Sequence, residues 1–241
     1  MRVLINIVLI TMILGCTTTQ PETSLLEVSN KSIENHIQVY VTPYYESSSN
    51  LSMNPKVKVS KQYDRLLSST KSKDILTVEK SILDKPELIT PMTMMVLAIR
   101  MYDVGERDKA IFWFYVAKDR YITLSDVLNI NDPSLFQVKQ SVIAFASLAG
   151  PYINSYAFCN IKKQQTIRND AFNWVTLNPY QALFMEQLPA KEGNRKENLE
   201  RSLNDIDESI KKFNEFLSNP QNVDELNLKR KQKDVDSQFC Y

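Results

Sequence analysis

Four glycines serve the whole chain, at Gly15, Gly105, Gly150 and Gly193. Two-residue β-hairpins need glycine where φ is positive, and phosphate-cradling loops need it where backbone approaches ligand. So few glycines disfavour both and point to helices joined by polar turns. The apolar spacing agrees. Ile75, Val78, Ile82 and Leu83 recur at helical intervals from Ser72, and Pro86 closes that run. Thr90-Pro91 reads as an N-cap followed by the first helical position. Met94, Leu97, Ala98 and Met101 follow at i, i+3, i+4 and i+7, and Gly105 stops the helix. A second helix starts near Glu106 with Ala110, Trp113, Phe114 and Ala117 on one face. Phe112 and Tyr115 lie further round that helix, either packed by a neighbour or open to a partner. Asp132-Pro133 opens another helix through Leu148, which Gly150-Pro151 is expected to close. Further helical segments are expected over 152–158, 161–177 and 180–188.

The strongest periodicity lies near the C-terminus. Leu199, Leu203, Ile206, Ile210, Phe213 and Leu217 alternate spacings of four and three on a highly charged helix that starts near Asn194 and ends by Pro220. Such a seam lies either on the chain's own domain or in an intermolecular coiled coil. Beyond it, Lys229-Arg230-Lys231 reads as a solvated helix end. At the other terminus, residues 37–42 alternate β-branched and polar side chains before Pro43, and Val57-Lys58-Val59 offers a second short strand.

The first 15 residues have the form of a secretory signal. Met1-Arg2 precede an apolar run from Val3 to Leu14, too short for a bilayer span of roughly 20 residues. The run ends in Ile13-Leu14-Gly15-Cys16, which resembles the bacterial lipobox. That resemblance implies cleavage before Cys16 and lipid attachment at its sulfur and new amine. Two or more acyl chains anchor a protein stably without spanning the membrane. Thr17, where enterobacterial inner-membrane lipoproteins carry Asp, implies the outer membrane, facing the periplasm. Residues 17–32, rich in Ser, Thr, Glu and Gln, read as a flexible tether. With Cys16 lipidated, Cys159 and Cys240 remain. An oxidising compartment favours a bridge between them, the alternative being two unpaired thiols.

The helix pair from Pro91 to about Leu124 resembles a tetratricopeptide repeat. Leu97, Ala98, Met101, Ala110, Phe114 and Ala117 occupy its small and bulky apolar slots, with Gly105 between the helices. The segment Lys109–Ala117 is similar to the second helix of related repeats that place Trp ahead of spaced alanines. The pattern departs at Met94, where the repeat prefers Trp, and at Ile122, where it prefers Pro. A regular solenoid takes about three repeats, and a second in register is absent. The expected fold is therefore mainly α. It is a compact helical domain with one repeat-like hairpin, a short N-terminal β-strand or hairpin and a long C-terminal amphipathic helix. The expected divisions are a signal peptide over 1–15, a tether over 16–32, an extended or β segment over 33–71, a helical domain over 72–220 and a charged tail over 221–241.

Catalytic machinery is not evident. His36 is the only histidine and stands beside the tether, no Gly-x-Ser-x-Gly elbow occurs, and neither metal-ligand nor nucleotide-loop spacing is present. No cofactor is expected. Glu197, Glu200, Asp205, Asp207 and Glu208 read as a solvated helix face. With 29 basic and 28 acidic residues, nothing favours nucleic acid as a partner. A lipid anchor with a helical binding domain resembles the lipoproteins that neutralise type VI secretion phospholipase effectors. That resemblance implies a non-enzymatic immunity protein whose partner is a periplasmic phospholipase effector. The alternative is a scaffold or assembly lipoprotein of an envelope complex. Tyr152, Tyr156 and Phe158, beside the Gly150-Pro151 turn, are the candidate partner-binding residues, with burial in the core as the other reading.

Overall fold

A computed structural model describes residues 61–240 of the chain. The expected signal peptide and tether, Cys16, His36 and both expected strands lie outside the described residues. Among the described residues there are nine α-helices: α1 Lys61–Leu67, α2 Ser72–Asp84, α3 Pro91–Asp103, α4 Arg107–Val127, α5 Phe136–Ala157, α6 Ile161–Leu177, α7 Arg195–Ser218, α8 Pro220–Gln232 and α9 Val235–Phe239. A 3-10 turn, Gln181–Phe184, links α6 to α7. The described residues are mainly helical.

The centre of the fold is α3. Thr90 caps it by accepting from the Thr93 N–H at 3.1 Å, and Pro91 supplies a φ already suited to helix. Met94 to Ile99 and Met101 are all fully buried. A helix apolar on every side must be enclosed, and α1, α2, α4 and α5 enclose it. Gly105 takes φ +87° where α3 ends. Its N–H bonds to the Tyr102 carbonyl, and the Glu106 N–H bonds to the Met101 carbonyl at 2.9 Å. This Schellman closure reverses the chain and lays α4 back along α3. Ala98, Ala110 and Ala117, all fully buried, let the helices approach closely.

α4 also packs on α5, α6 and α7. Trp113 is fully buried, donates Nε1–H to Glu79 of α2 at 3.0 Å and meets Trp174 of α6 edge-on at 5.4 Å. Phe112 meets the same Trp174, and Tyr115 is buried against α6. The aromatic run 112–115 is therefore engaged within the fold. Arg120, also buried, donates to the Pro86, Ile89 and Asn178 carbonyls at 2.7 to 2.9 Å, joining the α2–α3 loop to the end of α6. Burial lowers its pKa to about 10, so it stays charged at neutral pH. A smaller core of Leu124, Val127, Leu128, Tyr180 and Leu183 closes the far end of α4.

α7 begins where the sequence placed it, with Asn194 Oδ1 accepting from the Lys196 N–H at 2.8 Å. Ile206, Ile210 and Leu217 are buried, Leu199 and Leu203 partly so, and the seam rests on α4 and α6 of the same chain. Phe213 is the seam residue that stays exposed.

Five local expectations need correction. α5 does not stop at Gly150-Pro151 but continues to Ala157. A helix-interior proline clashes with the preceding Cβ and deprives the carbonyl four residues back of its donor. Here the preceding residue is Gly150, which has no Cβ, and the orphaned carbonyl belongs to Ser147, which is exposed to water. The charged tail beyond 220 forms helix, and its basic run is not wholly solvated. Asn219 caps α8, and α8 and α9 fold back so that α9 docks on α5. Within the basic run, Lys229 and Lys231 are exposed but Arg230 is buried. Lys61–Leu67 is helix where extended chain was expected, with Tyr63 and Leu67 in the core. The 180–188 stretch is one 3-10 turn plus loop. Finally, Leu83 is exposed, because the buried face of α2 is set by Ile75, Val78 and Ile82.

Candidate functional site

Cys159 and Cys240 form a disulfide spanning 81 positions, with their Cα atoms 5.5 Å apart. It fastens the end of α9 to the start of the α5–α6 link. Arg230 lies beneath it. The guanidinium donates through Nη2 to the Ser155 carbonyl at 3.0 Å and through Nε to Asp236 Oδ1 at 2.8 Å. Its Nη2 is also 3.3 Å from Cys240 Sγ and 3.6 Å from Cys159 Sγ.

Tyr152 and Tyr156 stand one turn apart on α5 and converge on the loop end of the α3–α4 hairpin. Tyr152 meets Tyr102 edge-on at 6.1 Å and Phe239 of α9 at 5.9 Å. The Arg107 guanidinium lies 4.7 Å over the Tyr102 ring and 5.5 Å over the Tyr156 ring. Stacking of this kind holds the arginine's planar head in place. The Asp108–Lys163 ion pair, at 3.0 Å and exposed, borders the cluster, and Tyr156 Oη donates to Asp108 Oδ1 at 3.4 Å. Burial, then the Asp108 charge, raises the pKa of Tyr156, so its hydroxyl is a neutral donor. Phe158 does not join this group. It packs edge-on against Phe213 of α7 at 6.1 Å. The structure thus brings two of the three expected rings together, each half-buried, and turns the third elsewhere.

A broader surface runs along α5. Phe136 is 53% exposed, Ile143 44% and Leu148 43%, and Gln140, Ala144, Ser147 and Pro151 share that exposed side. The sequence from Gln140 to Ile161 contains no charged residue. An exposed helix face ordinarily carries charge, whereas this one is uncharged, its apolar residues interrupted only by the polar Gln140 and Ser147. None of the described helices is long and apolar enough to cross a membrane.

Sequence reasoning missed Tyr102, Arg107, Arg230 and Phe239 as neighbours of this site. Pairing across the fold, not local pattern, creates the cluster. The uncharged stretch was legible and would have marked α5.

No protein-family model matches the chain, and no solved structure matches it. A protein of Haemophilus influenzae (strain ATCC 51907 / DSM 11121 / KW20 / Rd), described as "Uncharacterized protein", is 32% identical over 205 residues, covering 85% of this chain and 79% of the relative. At that identity and coverage, the chain belongs to the same family as the Haemophilus influenzae protein.

Proposed function

We propose that the protein is a membrane-tethered, non-catalytic binding protein of the periplasm that engages another protein through α5. The observation that carries this reading is the exposed, uncharged side of α5 around Ile143 and Leu148. The adjoining half-buried Arg107 and Tyr156 are of the residue types that dominate binding energy at protein interfaces. The sequence of the Pro91–Leu124 helix pair resembles a tetratricopeptide repeat, a family that presents helical surfaces to proteins. The Gly15-Cys16 motif supports lipid attachment at Cys16, on the outer membrane facing the periplasm.

In this reading the partner is a secreted toxic effector of the phospholipase class, and binding neutralises it. The experiment deletes the gene in a strain that keeps its neighbours and grows sister cells in contact. Contact-dependent killing, abolished by supplying the lipoprotein, is the expected result. An envelope-assembly defect without killing would replace immunity with a scaffold role. Lipid or glycan hydrolysis by the purified protein would overturn both.

A further inference from the structure

The geometry points to Cys159–Cys240 as a thiol-exchange site, a latch that a dithiol reductant opens to lift α9 from Tyr152. Three observations carry it. Both half-cystines are exposed residues, so a thiolate can reach the bond. Arg230, whose side chain is only 8% exposed, places one guanidinium nitrogen against both sulfurs. And the only α9 ring, Phe239, covers Tyr152.

A neutral disulfide is a poor acceptor for a buried cation. The same contact becomes a charge pair once a sulfur leaves as thiolate, so Arg230 is placed to favour the exchange state over the resting one. Asp236 Oδ1 meets the same nitrogen at 2.7 Å and stands 3.6 Å from Cys240 Sγ, which favours Cys159 as the departing sulfur; the carboxylate itself is 62% exposed and screened by water. In the exchange, one thiolate of the reductant attacks a cystine sulfur. The protein S–S bond breaks, a mixed disulfide forms, and the departing cysteine carries the electron pair beside Arg230. The reductant's second thiol then closes its own disulfide, displacing the second cysteine. The protein gains two electrons and two protons, and the dithiol loses them. The five-residue α9 then keeps only its noncovalent contacts with α5 and α8.

The test uses the full mature protein, oxidised, with excess dithiothreitol at neutral pH. Thiols are trapped with iodoacetamide at intervals, and amide hydrogen exchange is followed over 235–240. Arg230→Gln is expected to slow reduction about threefold or more, with Arg230→Lys recovering most of the rate. A purely bracing Arg230 has the opposite sign, since loosening α8 and α9 would bare the bond and speed its reduction. Equal or faster reduction of Arg230→Gln, or no recovery by Lys, overturns the role of the cation. In the wild type, reduction is expected to release protection over 235–240 while α3 and α4 keep theirs. Unchanged protection over 235–240 overturns the latch without reference to any variant.

Discussion

Arg168 holds Asp119 through two hydrogen bonds, Nη1 to Oδ2 at 2.6 Å and Nη2 to Oδ1 at 2.8 Å, across the α4–α6 contact. Both side chains are largely buried, and Arg168 also covers the Tyr115 ring. Removing one partner leaves the other charge buried and alone. Asp119→Ala is therefore expected to cost about 3–5 kcal/mol in urea unfolding. Replacing both residues with leucine should cost far less, because no charge is then stranded.

The same carboxylate sets a pH dependence. Burial raises the pKa of Asp119, with Arg168 opposing. The folded state therefore holds the proton more tightly than the unfolded chain. Its contribution to stability is present at and below the ordinary carboxylate value and declines as pH rises through the raised folded value. The stability of wild type relative to Asp119→Asn, which does not titrate there, should be more favourable at pH 4 than at pH 7. The opposite trend in paired urea titrations would contradict this.

Pro151 and Gly150 form a matched pair. Pro151→Ala restores a donor for the Ser147 carbonyl and is expected to stabilise by about 1 kcal/mol. A Cβ at Gly150 would meet only Asn154 Nδ2 at 3.6 Å and Phe114 Cζ at 3.9 Å, ordinary contacts. Gly150→Ala should therefore stabilise by up to ~1 kcal/mol beside Pro151→Ala, and by less, or not at all, while the proline remains. Thermal melts of the two single variants and the double would reveal the coupling.

Much of the hairpin was legible because its signals are local. Thr90-Pro91, Gly105 and the spaced alanines each act within a few residues of where they stand, and the α7 seam repeats often enough to be read directly. What escaped was set by distant chain. Nothing near Pro151 says that Ser147 will face water, and nothing near Arg230 says that Ser155 and Cys159 will come beneath it. The Tyr102–Arg107–Tyr156 stack likewise exists only because α5 crosses the end of the α3–α4 hairpin.

Ala110 tests the close approach of α3 and α4. It is fully buried, and Ala110→Trp should overpack the contact at a cost of about 1–3 kcal/mol. An unchanged melting temperature would show that the helices have room to spare there.

Lipid attachment has its own test. A clickable palmitate analogue should label the wild type and not Cys16→Ser. Label retained on the variant would place the anchor elsewhere.

In the proposed function, the uncharged side of α5 meets a protein partner. Ile143→Glu with Leu148→Glu changes two exposed side chains, each expected to shift stability by about 0.5 kcal/mol or less. The direct measurement is complementation of the deletion strain by this double variant, expressed at wild-type abundance and scored against Lys211→Glu with Lys212→Glu on the exposed side of α7. The α5 variant is expected to fail and the α7 variant to rescue fully. Full rescue by the α5 variant would show that this face is not where the protein works.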